Sequence, residues 1–279
     1  MKTFDLRKLD EAEVEKSYRE NGYAVVDRVL SSEELEEIRR DFMKINRGDY
    51  PCEGIDPVDW DPDDKRLLAR HVYMGMPHVL SNTIHRFVTH PGLLRVLDLV
   101  VGAFVPFWDG GYNCVQTMFV SKGPYGKGSP WHQDEHPIPT RDRSLTGVWI
   151  PTEDVDSESG CLWIVPDSHK SGIIYDRHPH DEPDIDFQPI ARGFDESTAI
   201  PLPMKAGSVI FFSGYLLHSA RKSSSDAYRP VLTLHYTSAT TLLTWKGERN
   251  YRGVIPIKGV DPYAEEGYTT PTPWAHLAR

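Results

Sequence analysis

The protein has 279 residues, of which 39% are hydrophobic and 26% charged, a composition typical of one large or two small globular domains. Its formal net charge is −10, with 41 acidic residues against 31 Lys and Arg, so the chain lacks the basic field that a nucleic acid partner requires. No run of 18 apolar residues occurs, and there is no apolar stretch of signal-peptide length, so we expect a soluble protein without membrane insertion.

The first hundred residues contain mainly helical signals. Residues 31–46 open with a capping box, Ser31 followed three residues later by Glu34, and place apolar side chains on one helical face. A short apolar run after Asn-Gly, residues 23–30, predicts a strand before this helix. Residues 91–101 predict a second helix, ended by a glycine.

From Asn113 onward, short strand-like runs alternate with clusters of Gly, Pro, Ser and Asp, which predicts an all-β core. The runs are NCVQTMFV, LTGVWIP, CLWIV, SVIFF and VLTLHYTS. We expect one domain over residues 1–279, with a mainly helical part (1–105), a β core (106–240) and a C-terminal tail (241–279). The Pro and Gly spacing of the tail predicts a loop.

Two long segments rich in Asp and Pro, residues 49–64 and 175–198, lack periodicity. Since loops of this length in a compact domain are usually functional or disordered, both are predicted to be lids over a site, with a solvated surface loop as the alternative.

The three cysteines are scattered, odd in number and without C-x-x-C spacing. They indicate neither a disulfide framework nor a thiolate zinc site. This cysteine usage favours a reducing cytoplasm as the location of the protein.

The segment SPWHQDEHP places His132 two residues before Asp134. On an extended chain, residues two apart point to the same side, so the two side chains could share one metal ion. A surface histidine beside an aspartate, with no metal, is the alternative for this pair alone.

The segment IFFSGYLLHSARKSSSDAYRPVLTLHYT contains two strand-like runs around a polar connection and predicts a hairpin. If the turn is centred between Ser223 and Ser224, His218 lies opposite Arg229 and both side chains project into one pocket. A barrel-mouth histidine with an exposed arginine is the alternative.

Together, His132, Asp134 and His218 supply the two imidazoles and one carboxylate that hold Fe(II) in oxygenases and leave positions open. A 2-oxo acid occupies two of these positions and O₂ the third. The planar guanidinium of Arg229 matches the distal carboxylate of 2-oxoglutarate in a bidentate, charge-assisted way. A zinc hydrolase with the same ligand types fits the hairpin and the arginine poorly.

The chain resembles the phytanoyl-CoA dioxygenase family of Fe(II)/2-oxoglutarate oxygenases. It contains WHQDEH, SGCLWIVPDSHKSG and AGSVIFFSGYLLHSA in that order, followed by Arg229 eleven residues after His218. The resemblance runs from about Tyr23 to Tyr236. It implies a double-stranded β-helix, a jelly-roll or cupin-like core that is mostly β with flanking α-helices.

The resemblance also implies roles for single residues. His132, Asp134 and His218 look like the metal ligands and catalytic centre, and Arg229 looks like the clamp on the C5 carboxylate of 2-oxoglutarate. Three further residues look like cosubstrate contacts, with an ordinary core side chain as the alternative for each: Gln116, Met118 and Trp149. One departure from some relatives is Ala220, where a serine two residues after the distal histidine bonds the cosubstrate.

The implied cofactors are Fe(II), 2-oxoglutarate and O₂, with ascorbate as a stimulating reductant. The implied reaction is hydroxylation of an aliphatic carbon of a small molecule, with 2-oxoglutarate converted to succinate and CO₂. The carboxylate of Asp134 disfavours halogenation. Contacts to the substrate are expected from Glu135 and His136 and, by strand alternation after Arg229, from Thr233 and His235; a structural histidine is the alternative for His235.

Two alternatives belong to other functional classes. One is a cupin-like, metal-dependent isomerase or lyase that uses no 2-oxo acid, and the other is a non-catalytic metal-binding barrel. The sequence does not name the substrate, which could be a natural product, a lipid-like molecule or an acyl-CoA metabolite, and it does not predict an oligomeric state.

Overall fold

The computed structural model describes residues 2–245, 248–249, 253–264 and 273–278. Most of the regular structure is β-sheet. The strands in chain order are β1 (Thr3–Asp5), β2 (Tyr23–Asp27), β3 (His71–Gly75), β4 (Tyr112–Lys122), β5 (Ser129–His132), β6 (Thr146–Pro151), β7 (Leu162–Ile164), β8 (Arg177–His178), β9 (Ile190–Ala191), β10 (Ile200–Leu202), β11 (Val209–Ser213), β12 (His218–Ala220), β13 (Arg229–Ser238), β14 (Thr244–Trp245), β15 (Glu248–Arg249), β16 (Ile255–Lys258) and β17 (Trp274–Ala278).

Five α-helices flank the sheets, all within the first hundred residues: α1 (Glu11–Asn21), α2 (Ser32–Arg47), α3 (Lys65–Leu68), α4 (Asn82–Val88) and α5 (Pro91–Val100). The predicted capping box forms, because the Ser31 hydroxyl accepts the amide of Glu34 at 3.2 Å and the Glu34 carboxylate accepts the amide of Ser31 at 2.8 Å. Helix α2 then ends at Gly48, whose positive φ of 81° suits glycine. Both helices predicted from the sequence are confirmed.

Two sheets carry the core. The larger, here called the major sheet, has nine strands in the order β1-β2-β11-β6-β13-β4-β3-β17, with β16 also paired to β4. The minor sheet has the order β10-β7-β12-β5. This architecture is the expected double-stranded β-helix, and strands from both the N-terminal part and the tail extend its major sheet.

Side chains along the strands of the major sheet point alternately to the helix-facing core and to a cavity between the sheets. On β13, Leu232 and Leu234 pack with the helices in the main hydrophobic core, whereas Val231 and Thr233 face a cavity between the sheets. Strands β4, β6 and β11 alternate in the same way. The major sheet is therefore buried by helices on one face and presents the site on the other.

The predicted hairpin between His218 and Arg229 is wrong. Strand β12 lies in the minor sheet, where His218 is opposite His132 and Ile164. Strand β13 lies in the major sheet, where Arg229 is opposite Lys122. The polar connection after β12 therefore crosses from one sheet to the other instead of turning back, yet both side chains still reach one cavity.

The tail is not only loop, because β16 pairs with β4 and β17 pairs with β3. Pairing with strands that are distant in sequence outweighs the tendency of the Pro and Gly residues of the tail to form loops. Residues 246–247, 250–252, 265–272 and 279 of the predicted tail lie outside the described residues.

The two predicted lids differ. Residues 175–198 contain the β8–β9 hairpin, which packs through Ile190 and Ala191 near Trp131 and contributes to the cavity. Residues 49–64 contribute no described side chain to that cavity and instead contact β17, where the amide of Ala275 donates to the carbonyl of Glu53 at 3.0 Å. In the described part of the chain, no helix combines the length and apolar character needed to cross a membrane.

Candidate active site

His132, Asp134 and His218 come together between the sheets. One ligand atom from each lies within 4.8 Å of the others. The Asp134 Oδ1 atom is 3.5 Å from Nε2 of His132 and 3.7 Å from Nε2 of His218. Cross-strand pairing of β5 with β12 sets the two rings side by side, with centroids 4.1 Å apart.

Both histidines are oriented by the backbone. Nδ1 of His132 donates to the carbonyl of Pro130 at 2.8 Å, and Nδ1 of His218 donates to the carbonyl of Leu216 at 2.9 Å. These bonds fix the tautomer that leaves each Nε2 free to donate its lone pair to a metal. The donor set therefore fits a divalent ion such as Fe(II).

The protonation states also fit a metal centre. Burial lowers the pKa of His132 to about 3, and the neighbouring His218 adds to the shift. Burial alone would raise the pKa of Asp134, but His218, His235 and His132 lower it on balance. At neutral pH the site thus offers a neutral imidazole beside a carboxylate anion.

His235 holds the second oxygen of Asp134. Its Nε2 donates to Asp134 Oδ2 at 3.0 Å, and its ring is 3% exposed. Because His235 is on β13 of the major sheet, this bond joins the two sheets and leaves Oδ1 turned toward the triad.

The ring of Phe212 on β11 packs against His218, and a glycine on the neighbouring strand β6 makes room for this ring. The ring of Phe212 lies 4.7 Å from the His218 ring, and a Cβ on Gly147 would come 2.3 Å from the Phe212 ring. Gly147 therefore permits the phenyl ring to pack where it supports the histidine.

Two buried cations occupy the deep end of the cavity. Arg229 is 4% exposed and Lys122 is 2% exposed, and they are cross-strand partners on β13 and β4. Among the residues that the structure describes, Nε of Arg229 and Nζ of Lys122 have no hydrogen-bond partner. Burial and the charge of Arg229 lower the pKa of Lys122 to about 7. Two buried basic groups on one wall, without an ion-pair partner in the described part of the chain, fit a carboxylate of a ligand.

Other side chains surround this deep end. Arg229 lies over the Trp149 ring at 5.7 Å. The Tyr73 hydroxyl hydrogen-bonds Ser129 Oγ at 3.0 Å and donates to the buried Asp186. Ala220 also lines the cavity, so no hydroxyl is present two residues after His218.

The cavity that joins these groups has a volume of about 410 Å³. It is lined by the triad of His132, Asp134 and His218 and by Arg229. Most of the other predicted residues also line it: Gln116, Met118, Trp149, Thr233 and His235. It opens past the exposed Pro137 and past two residues of the 175–198 segment, Arg177 and Gln188.

Glu135 and His136 are not among the residues that line the cavity. The Glu135 carboxylate turns into the following loop, where it accepts the amide of Thr140 at 2.6 Å and the amide of Arg141 at 3.0 Å. Burial raises the pKa of Glu135 to about 7. His136 is exposed.

Several lining residues were not among the predicted site residues, including the polar side chains of Tyr73, Lys122, Arg177 and Gln188. For Lys122 a signal existed, because it shares the cavity-facing side of β4 with Gln116 and Met118. Tyr73, Arg177 and Gln188 lie outside the predicted strands, and no local pattern marks them.

Comparison with known proteins agrees with this geometry. The family model for phytanoyl-CoA dioxygenase (PhyH) matches residues 18–231. The peroxisomal phytanoyl-CoA dioxygenase of Bos taurus is 26% identical over 247 residues, which cover 81% of this chain and 68% of the relative. The human protein of that name is 24% identical over 246 residues with the same coverage.

Two solved structures share the fold. The epimerase SnoN in complex with Fe3+, alpha ketoglutarate and nogalamycin RO has a TM-score of 0.61 at 21% identity, covering 84% of this chain and 85% of SnoN. The carbocyclase SnoK from nogalamycin biosynthesis has a TM-score of 0.63 at 20% identity, covering 89% and 90%. Since the family uses Fe(II), 2-oxoglutarate and O₂ and the donor set fits iron, this chain is a 2-oxoglutarate-dependent dioxygenase. It belongs to the phytanoyl-CoA dioxygenase family.

Proposed function

We propose that this dioxygenase hydroxylates an aliphatic carbon of a small-molecule substrate and releases succinate and CO₂. The observation that carries the proposal is the pairing of the His132, Asp134 and His218 donor set with a separate, unpaired cation pair in the same cavity. A cupin-like isomerase or a non-catalytic barrel does not bind 2-oxoglutarate and so does not need Arg229 and Lys122 for its distal carboxylate.

Each residue has a defined task in this proposal. His132, Asp134 and His218 hold the iron, which when bound supplies the oxidising power of the reaction. Arg229 and Lys122 bind the C5 carboxylate of 2-oxoglutarate, and Lys122 takes the place of the hydroxyl that Ala220 lacks. Gln116, Met118 and Trp149 enclose the cosubstrate and exclude water around it.

The size of the cavity restricts the substrate. At about 410 Å³ it is at the lower end of the usual range for ligand sites, roughly 300 to 1,000 Å³. It must hold the metal, the cosubstrate and the reacting part of the substrate. A natural product, a lipid-like molecule or an acyl-CoA metabolite is accommodated if the part far from the reacting carbon extends through the mouth, and any coenzyme A moiety lies outside.

Spectroscopy without oxygen tests the proposal. We expect the weak visible band of iron-chelated 2-oxo acid when Fe(II) and 2-oxoglutarate are added to the wild type. Arg229→Ala should lose about 2 to 5 kcal/mol of 2-oxoglutarate binding, because a buried charge pair is broken. Arg192→Ala is the control, since Arg192 is paired with Glu182 at 2.7 Å and does not line the cavity.

Two results would contradict the proposal. Absence of the band despite bound metal would favour the cupin-like or non-catalytic alternatives. Turnover that releases succinate without adding one oxygen atom to any product, as read by mass spectrometry, would replace hydroxylation by another oxidative outcome.

Residues 1–279 are proposed to form one domain, since β1, β3, β16 and β17 all extend the sheet that holds the site. The cytoplasm is the proposed location, supported by three free cysteines. Cell fractionation tests this location against the peroxisome, which is printed in the names of animal relatives.

A further inference from the structure

The 175–198 segment brings a cation to the mouth of the cavity. Pairing of β8 with β9 sets Arg177 opposite Ala191. Nε of Arg177 donates to the carbonyl of Pro189 at 2.8 Å, and a terminal nitrogen lies 3.5 Å from Oε1 of Gln188. Arg177 and Gln188 both line the cavity, so the guanidinium is held in place with donors still available.

Arg177 has no ion-pair partner in the part of the chain that the structure describes. Burial lowers the pKa of Arg177, and the charges of Asp134 and Asp186 oppose this shift from a distance. Both carboxylates already accept hydrogen bonds from other groups. Asp134 accepts from His235, and Asp186 accepts from the Tyr73 hydroxyl and from the amide of Gln188 at 3.0 Å.

The cosubstrate does not require this cation. The distal carboxylate of 2-oxoglutarate has Arg229 and Lys122 at the deep end, which are 4% and 2% exposed. Arg177 is only half-buried, lines the cavity together with the exposed Pro137, and lies within electrostatic reach of His132 and Asp134. After the metal and cosubstrate are bound, one uncompensated positive charge faces the remaining space.

We infer that Arg177 binds an anionic group of the substrate, a carboxylate or a phosphate, so that the enzyme selects acidic small molecules. The inference rests on the proposed function and names its substrate class. A planar guanidinium binds such groups in a bidentate way, and the half-buried position strengthens the attraction relative to water. Anchoring the anion at the mouth fixes which carbon reaches the metal.

Matched small probes test the inference on the anaerobic complex of the full chain with Fe(II) and 2-oxoglutarate. Hexanoate, hexyl phosphate and the neutral hexanamide are titrated, and the shift of the visible band gives each dissociation constant. In the wild type we expect the better anion to bind about tenfold to hundredfold more tightly than the amide, as for one hydrogen bond to a charged group. In Arg177→Gln this preference should disappear.

Two variants complete the design. Arg177→Lys keeps the charge without the planar fork, so part of the preference should remain. Arg192→Gln removes an arginine of the same segment that pairs with Glu182, and it should keep the full preference. Whichever anion binds more tightly identifies the carboxylate or the phosphate as the recognised group.

The outcomes separate the two proposals. A wild type without the band contradicts the proposed function itself. With the band present, equal binding of anions and amide, no shift by either anion at millimolar concentration, or a preference that survives in Arg177→Gln overturns the inference. Loss of the band in Arg177→Gln would assign the guanidinium to 2-oxoglutarate and overturn it as well.

Discussion

His235 controls the metal site without belonging to the triad. By donating a hydrogen bond from Nε2 to Oδ2 of Asp134, it fixes the carboxylate so that the other oxygen faces His132 and His218. We expect His235→Ala to weaken Fe(II) binding about tenfold to hundredfold, because partners of metal ligands have effects of this size. Anaerobic metal titration measures the change.

The exposed His178 provides a matched control, since His178→Ala removes an imidazole from the surface of the 175–198 segment. Unchanged Fe(II) affinity in His235→Ala would show that Asp134 keeps its orientation without this partner.

We expect Lys122 to give the binding of 2-oxoglutarate a pH dependence. Its pKa is about 7 in the free protein, and an anion bound beside it raises this pKa. Below pH 7 the lysine is charged before and after binding, so affinity for 2-oxoglutarate is highest there. Above pH 7 binding must take up a proton, so the dissociation constant rises by up to about tenfold per pH unit until the pKa of the complex is reached.

Titrations of 2-oxoglutarate between about pH 6 and 9 check this sign. The Lys122→Met variant should bind 2-oxoglutarate more weakly than the wild type below pH 7. Its affinity should not show the decrease above pH 7 that we expect for the wild type. Parallel curves for the wild type and Lys122→Met would mean that the lysine stays neutral or does not contact the cosubstrate.

Among the site residues, the sequence predicted those side chains whose proximity depends on local spacing. His132 and Asp134 are two residues apart, at the end of β5 and in the turn that follows it, and this short separation keeps them close together. The bond between His235 and Asp134 could not be predicted, because it depends on strands of two different sheets facing each other. Arg177 depends on a short hairpin with no alternating pattern.

Strand β13 shows how one element serves stability and chemistry through opposite faces. Leu234 is fully buried in the helix-facing core, and Thr233 faces the cavity. We expect Leu234→Ala to reduce the free energy of unfolding by about 2 to 5 kcal/mol. Thr233→Ala should change it by less than about 1 kcal/mol and alter binding in the cavity instead.

Urea unfolding and 2-oxoglutarate titration of the two variants separate these effects. Equal destabilisation by both substitutions would contradict the assignment of faces.

Helices and strands were predicted correctly where interactions between residues close in sequence determine them. The capping box and helical periodicity predicted α2 within one residue at each end, and apolar runs predicted β4, β6, β7, β11 and β13. The failures concern strands whose formation or position depends on pairing with distant parts of the chain. A polar connection after β12 resembles a hairpin turn, but the strands from β10 to β13 alternate between the minor and the major sheet. Strands β16 and β17 exist because edges of the major sheet accept them, not because of their own composition.

Across the whole molecule, the tail completes the sheet that carries the site. Strand β17 covers the edge of β3, and β16 pairs with the start of β4. A chain truncated after Leu243 leaves these edges open to water and to other chains. We expect its melting midpoint to fall by several degrees, since about 1 kcal/mol corresponds to roughly 2 °C at this size.

Calorimetry and light scattering measure the loss and any aggregation. A truncated protein with an unchanged midpoint would show that the tail strands add no stability to the sheet.

The depth of the cavity bears on the order of events in turnover. The cation pair proposed for the cosubstrate is deeply buried, and the substrate anion is proposed to bind at the mouth beside Arg177. A substrate seated there would obstruct the passage, so we expect 2-oxoglutarate to enter first and succinate to leave after the oxidised product. We therefore expect sequential, ordered kinetics, in which excess substrate traps succinate on the enzyme as a dead-end complex.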